Sequence, residues 1–353
     1  MKPRRTSRHW KIEKEDFLER FHRQFFDPNF DRYRQTLYEL GEVAWENYLQ
    51  GRKAPRTTRA GDDYADPEYE LSDDWLRSKC AVDRAQSEYH KGETRILLIR
   101  GSDRSQHTCP GEVSKTNRLS LIAEETLKDQ GLEVDVLDLS ELTSQYGKVI
   151  YPCKGCVSTA MPLCHWPCSC YPNHSLGQDQ DWMAEIYPLW VRAHGIMILT
   201  PVYWHQAPSA LKLMIDRLVC ADGGNPDPTR THGKNAEKAK DLELAGWDYP
   251  RHLKGRVFSV VVHGDAVGVN ELKTALTEWM EEMELISAGS FAQLGRYLGY
   301  LTPYATSHEA LDKDESLQQE VRNAAETLAQ ATLAQRAGKL AVLEADVNDP
   351  RPK

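Results

Sequence analysis

The sequence has no excess of positive charge. Its 44 Lys and Arg face 53 Asp and Glu, giving a net charge of −9 and a pI near 5.8, which argues against nucleic-acid binding through a basic surface. No apolar run approaches the ~20 residues of a membrane span, so no membrane partner is expected. The basic opening KPRRTSRHWK is not followed by an apolar stretch, so it does not read as a secretory leader; it reads as a solvated tail. Neither a GxxxxGK[ST] loop nor a GxGxxG loop occurs, which disfavours nucleoside triphosphates and a conventional dinucleotide site. There is no internal repeat and no low-complexity tract. Eight cysteines in 353 residues are not a secreted disulfide scaffold, and the expectation is a soluble, cytoplasmic protein.

What is present falls into three parts: an N-terminal extension over 1–92, a main domain over 93–308, and a C-terminal helix and tail over 309–353. The extension is rich in charge and aromatics and poor in aliphatic runs. Phe17, Leu18, Phe21 and Phe25 stand near helical spacing, and DRYRQTLYELGEVAWENYLQG predicts a second helix stopped by Gly51. The text from 52 to 92 is polar and studded with Pro and Asp. A mostly helical extension without its own core is expected, packing on the main domain or on a neighbouring subunit.

From residue 93 the pattern alternates. TRILLIRG, LEVDVLDLS, GIMILT, RVFSVVVHGD and LISAGSF predict strands. Helices are predicted from Thr116 to Gln130, over DWMAEIYPLWVRAH (bent or broken at Pro188), SALKLMIDRLVC, NELKTALTEWMEEM and DESLQQEVRNAAETLAQATLAQ. The last carries Leu317, Val321, Ala324, Ala325 and Leu328 on one stripe. Uniformly apolar strands alternating with helices predict a doubly wound, flavodoxin-like parallel sheet of five strands. Two insertions interrupt it, at about 141–176 and 221–254.

Such sheets bind ligands beyond the carboxyl ends of their strands, so the loops after the strands are where a ligand is expected. GSDRSQHTCPGEVSKTNR offers Ser102, Arg104, Ser105, Ser114 and Thr116 before a helix. That suits a phosphate dianion, or is an ordinary hydroxyl-rich loop with an N-cap. TPVYWHQAPSA sets Tyr203 and Trp204 after the third strand, against a planar ligand or simply against the helix below. In VVHGDAVG, Gly264 allows close backbone approach, while His263 either donates to a ligand or caps a turn.

These stretches resemble a known family. GSDR…SKTNRLS is similar to the GSPR…GNT phosphate loop of NAD(P)H-dependent FMN reductases, with an insertion at 106–113, and TPVYWHQAPSALKLMIDR is similar to their TPVYWGSVSAQLKAFIDR. The resemblance covers about 94–300 and is closest to the branch near iron–sulfur flavoproteins. It implies FMN, with its phosphate on Ser102, Arg104, Ser114 and Thr116 and with Asn117 among the cofactor-binding residues. The isoalloxazine would lie along Pro201, Val202, Tyr203 and Trp204, with His263 and Gly264 closing the other side. Asp216 and Arg217 match the family's structural DR, and His205 stands where the family often has Gly.

CKGCVSTAMPLCHWPCSC brings Cys153, Cys156, Cys164, Cys168 and Cys170 together, with His165. Cys153, Cys156, Cys164 and Cys168 are candidate ligands for zinc or an iron–sulfur cluster. A redox-active Cys153/Cys156 pair and a loop without any cofactor are the other readings. Thr159 occupies the place of the third cluster Cys in the related iron–sulfur flavoproteins.

The expected function is therefore an NAD(P)H-dependent FMN oxidoreductase. Hydride passes from NAD(P)H to bound FMN and on to a small acceptor such as a quinone or free flavin, the flavin carrying the chemistry. The alternatives are an FMN electron-transfer protein, with or without an iron–sulfur cluster, acting between protein partners, and a flavin-free binding protein. The resemblance implies a homodimer or homotetramer. Neither the acceptor nor the choice between NADH and NADPH can be read from the residues.

Overall fold

The computed structural model describes residues 12–108, 111–300 and 302–340. The basic N-terminal arm, Cys109 and the tail beyond 340 lie outside the described residues. The chain forms two compact units, one of Met1–Cys80, Cys153–Trp182 and Gly223–Pro250, the other of Ala81–Pro152, Met183–Asp222 and Arg251–Lys353.

The second unit is built on one parallel sheet of strands β1 (Arg95–Arg100), β2 (Glu133–Asp138), β3 (Gly195–Pro201), β4 (Val257–Gly264), β5 (Ile286–Ser287) and β6 (Gln293–Tyr297). Their order is β2-β1-β3-β4-β5, with β6 also on β4. β5 pairs with Val257 and Phe258, and β6 with Val260 to Gly264. The two are segments of one edge strand, so the sheet has five positions and the doubly wound, flavodoxin-like order.

The helices that follow the strands include α1 (Lys115–Asp129), α2 (Met183–Arg192), α3 (Ser209–Arg217), α4 (Val269–Glu282) and, after the last strand, α5 (Glu315–Arg336). Ile96 and Leu98 of β1, Met197 and Leu199 of β3, and Val257 and Val261 of β4 form one core layer with Leu119, Ala123 and Leu127 of α1 and Val321, Ala324 and Leu328 of α5. The alternate residues Leu97 and Ile99 are equally inaccessible, so both faces are covered, which is why these strands are apolar throughout. Off that layer, Trp190 of α2 meets Trp279 of α4 edge-on at 5.9 Å. α5 lies so close to β3 that a Cβ on Gly195 would meet Thr332 Oγ1 at 2.5 Å.

Several elements differ from expectation. α2 runs through Pro188 without a break: the helix starts only at Met183, so the proline falls in its second turn, and the packed tryptophan face holds the helix together. The last strand does not end with LISAGSF; it continues after a short 3-10 turn, Ser290–Ala292, into the polar Gln293–Tyr297. Helices Asp73–Lys91 and Ala236–Leu244 lie where the sequence read as polar loop.

The first unit holds helices Lys14–Arg23, Arg34–Gln50 and Ala236–Leu244, the start of Asp73–Lys91, and a hairpin of Thr57–Arg59 with Glu70–Ser72. The first two helices meet through rings: Phe17 lies 5.3 Å from Trp45 and 5.1 Å from Tyr48. Gly51 ends the second helix in the left-handed region, as expected. The polar N-terminal text finds its partners in the two inserted segments. Trp75 Nε1 donates to the Pro167 carbonyl at 2.8 Å, and the Ala65 and Asp66 amides donate to Asp227 and Thr229. Among the described residues no helix is long and apolar enough to cross a membrane.

Candidate active site

A cleft of about 280 Å³ opens at the carboxyl ends of β1, β3 and β4, beside the switch point between β1 and β3. After β1 it is lined by Ser102 and Arg104, and at the start of α1 by Ser114, Lys115 and Thr116. After β3 come Pro201, Val202 and Tyr203. The end of β4 gives His263, Gly264 and Asp265, and Leu298 follows β6. Two glycines permit this convergence: a Cβ on Gly101 would meet Thr200 Oγ1 at 2.8 Å, and one on Gly264 would meet Val202 Cγ1 at 2.8 Å.

The α1 end of the cleft is electropositive. Ser114 caps the helix, its Oγ accepting from the Asn117 amide at 3.1 Å. The other first-turn amides have no partner inside the helix, and the helix dipole adds positive potential there. The Arg104 guanidinium and the Lys115 ammonium line the same end. Lys115 is buried; desolvation pulls its pKa down, while Asp265 and Glu112 work to hold it up. A phosphate there would meet hydroxyl, amide and cationic donors together, so the donor set fits FMN.

On the β4 side the His263 ring is buried, and Nε2 and the Thr116 hydroxyl are 2.8 Å apart. Burial, with Lys115 adding, pushes the imidazole down to about 3, so it is neutral at physiological pH. Its Nδ1 has no hydrogen-bond partner among the described residues. Asp103 ties the first loop to α3: its carboxylate accepts from Ser209 Oγ at 3.2 Å and from the Ala210 amide at 3.3 Å. Burial raises its pKa against these bonds.

The aromatic turn after β3 is a two-residue hairpin. Tyr203 and Gln206 exchange backbone bonds of 2.9 and 2.8 Å, and Trp204 and His205 between them take φ of 48° and 64°. Two successive left-handed residues are the geometry that glycine adopts most readily, which accounts for Gly at the His205 position in the family pattern. Tyr203 faces the cleft, whereas Trp204 points away and is 94% exposed.

The cleft thus brings together the expected site residues except Asn117 and Trp204. Asn117 faces a separate cavity with Arg118 and Leu121. Sequence reasoning passed over Lys115, Asp265 and Leu298. Lys115 sits between two residues it had chosen, and only burial distinguishes it from a solvated lysine. Leu298 carried no signal, because it follows a polar edge strand. Arg217 is buried away from the cleft, donating to the Tyr151 carbonyl at 3.1 Å.

The clustered cysteines, Cys153 to Cys170, belong to the other unit. Among the described residues no group of three or more His, Cys, Asp or Glu side chains is arranged to hold a metal ion, so the geometry gives no support to zinc or an iron–sulfur cluster on Cys153, Cys156, Cys164 and Cys168. Cys156 and Cys170 form a close thiol pair, their sulfurs 3.3 Å apart.

Solved structures with a similar fold include RosB with a bound 8-demethyl-8-formylriboflavin-5′-phosphate intermediate, at 14% identity and a TM-score of 0.50, covering 74% of this chain and 91% of that one. A flavone reductase is 18% identical with a TM-score of 0.38, covering 68% and 63%, and an NADH:FMN oxidoreductase is 12% identical with a TM-score of 0.34, covering 67% and 90%. At 14% identity the likeness to RosB is one of fold alone. No curated protein matches the chain. The family described as NADPH-dependent FMN reductases matches residues 94–297. With more than half its length matched and its cleft at the switch point of a flavodoxin-like sheet, the chain belongs to the NADPH-dependent FMN reductase family and is an FMN-dependent oxidoreductase.

Proposed function

We propose that the cleft holds FMN, that NADPH or NADH delivers a hydride there, and that a small acceptor such as a quinone or free flavin then takes up the electrons. The observation carrying this reading is the convergence in one cleft of anion donors at the α1 N-terminus, a Pro201–Tyr203 strip and the glycine wall at Gly264. Bound FMN supplies the hydride chemistry, and the chain supplies position and electrostatics. Ser102, Arg104, Ser114 and Lys115 would hold the phosphate. Pro201, Val202 and Tyr203 would line one side of the ring. The neutral His263, held by Thr116, offers hydrogen bonding there without adding charge. Lys115 and Arg104 keep the cationic charge at the phosphate end, and no protein acid or base is required for the first half-reaction.

Trp204 and Val267 are exposed apolar side chains on loops that also contribute to the cleft. They suit a stacked acceptor or a second subunit, and a homodimer or homotetramer is the assembly we favour. The free thiols of the described residues suit a reducing cytoplasm.

FMN titration followed by steady-state kinetics tests the reading. One FMN per chain and parallel double-reciprocal lines, the pattern of two half-reactions in one pocket, are expected. Gly264→Val should weaken FMN binding by about fivefold to a hundredfold, because filling the wall costs on the order of 1–3 kcal/mol. Failure of the wild-type chain to take up FMN, or intersecting lines, would contradict it.

A further inference from the structure

The densest reactive cluster outside the cleft is in the first unit. Cys156 and Cys170 place their sulfurs 3.3 Å apart. The Lys234 ammonium lies 3.7 Å from Cys156 Sγ and donates to the Leu163 carbonyl at 2.6 Å. The two thiols differ in access: Cys156 is half-buried and Cys170 is 8% exposed. Their segments are pinned by contacts unconnected with the sulfurs. Gly155 takes φ of 61° to start the turn that carries Cys156. On the other side Lys53 Nζ donates to the Ser169 carbonyl, and the Trp166 amide donates to the Asn225 carbonyl at 2.9 Å. Nothing in the FMN reading uses this pair.

We propose that Cys156 and Cys170 form a thiol–disulfide exchange centre whose substrate is a low-molecular-weight disulfide, with Cys156 attacking and Cys170 resolving. In the first step the Cys156 thiolate forms a bond to one sulfur of the substrate disulfide, and the other sulfur leaves as a thiolate. In the second, Cys170 attacks Cys156 Sγ, expels the second substrate thiolate and gives up its proton. The balance is one substrate disulfide reduced to two thiols and one Cys156–Cys170 disulfide formed. The more accessible partner, Cys156, meets the substrate, and the buried partner is already in contact with the sulfur it must attack. Lys234 holds negative charge on Cys156. The cluster's electrostatics agree with this assignment. The hydrogen bond from Cys170, with Lys234 adding and burial opposing, brings the Cys156 thiol down to about 6. Such a thiol is largely thiolate at neutral pH. The surrounding sulfurs outweigh desolvation and raise the Lys234 pKa.

The test uses the full-length reduced protein and dithiobis-nitrobenzoate, whose released thiolate is coloured. At pH 6 a phase about tenfold faster than N-acetylcysteine is expected, the gain in thiolate fraction being partly offset by lower nucleophilicity. This phase should release two aryl thiolates per chain and leave no adduct, and peptide mass spectrometry should find Cys156 linked to Cys170. Cys170→Ser should release one and retain the aryl group on Cys156. Cys156→Ser should lose the fast phase, with circular dichroism reporting that each variant is folded. Persisting aryl adducts on both cysteines of the wild-type chain, a Cys153–Cys156 link, or stoichiometric iron or zinc on these sulfurs in the isolated protein would overturn the proposal.

Discussion

The two units of this chain hold their shape by different means. In the sheet unit the central side chains of β1, β3 and β4 are mostly apolar and inaccessible, and α1 and α5 seal one face with Leu119, Leu127, Val321 and Leu328. In the other unit the ordering contacts are backbone carbonyls and amides met by scattered polar groups: Trp75 on Pro167, Lys53 on Ser169, Asp66 on Thr229. The first kind of order follows from periodic burial of surface, at about 25 cal/mol per Å². The second depends on individual bonds, each of small net value but costly to leave half-made. A cleft with fixed walls arises from the first, and a loop-built thiol cluster from the second.

Substitutions sharpen this contrast. Leu98→Ala should cost the sheet unit about 2–5 kcal/mol, since a buried leucine is replaced by a cavity. Trp75→Phe keeps most of the ring but strands the Pro167 carbonyl, and should cost the other unit about 1–3 kcal/mol. Scanning calorimetry resolves both; equal losses, or a larger loss for Trp75→Phe, would erase the distinction.

Acid should also act on the sheet unit. His263 is held at about 3 and His194 at about 4, both chiefly by burial. His194 is locked as the neutral Nε2–H tautomer, donating to the Tyr89 carbonyl at 2.8 Å while Nδ1 accepts from the Arg95 amide at 3.1 Å. Above the unfolded pKa of about 6.5 neither contributes a pH dependence. Below it the unfolded chain binds protons that the native state refuses, so stability falls as pH drops from about 6.5 towards 4, by up to about 1.4 kcal/mol per pH unit for each histidine. Urea midpoints from pH 7.5 to 4.5 measure this, and a flat profile would contradict it.

The smallest effect is at the aromatic turn. His205→Gly should stabilise by at most about 1 kcal/mol, relief of the left-handed φ being partly offset by glycine's added freedom in the unfolded chain. His205→Val should destabilise, because a β-branched residue tolerates that φ worst.

The same contrast explains what could be read in advance. Ile96–Ile99, Ile196–Leu199 and Val260–Val262 announced strands because burial on both faces forces apolarity on every position, and the helix stripe through Leu317 and Leu328 announced α5. The loops at the strand ends then followed from topology, which is how Ser102, Arg104, Ser114 and His263 could be named together. Gln293–Tyr297 stayed hidden because an edge strand half-open to water needs no apolar pattern. Helices Asp73–Lys91 and Ala236–Leu244 stayed hidden because each buries only a thin stripe, with Trp75, Val82 and Ala85 on the first and Ala239 on the second. The exposure of Trp204 could not be foreseen, because it depends on two positive φ values that residue type does not predict. The Cys156–Cys170 contact crosses fourteen residues of irregular chain, and no periodicity encodes such a closure.

The most direct test of the central claim is the absorbance spectrum of the protein reconstituted with FMN, followed anaerobically after addition of NADPH and, separately, NADH. The account predicts one tightly bound flavin per chain whose visible absorbance bleaches rapidly with at least one of the two nucleotides and returns when a quinone is added. A chain that takes up no FMN, or whose bound flavin keeps its oxidised spectrum in the presence of both nucleotides, would contradict it.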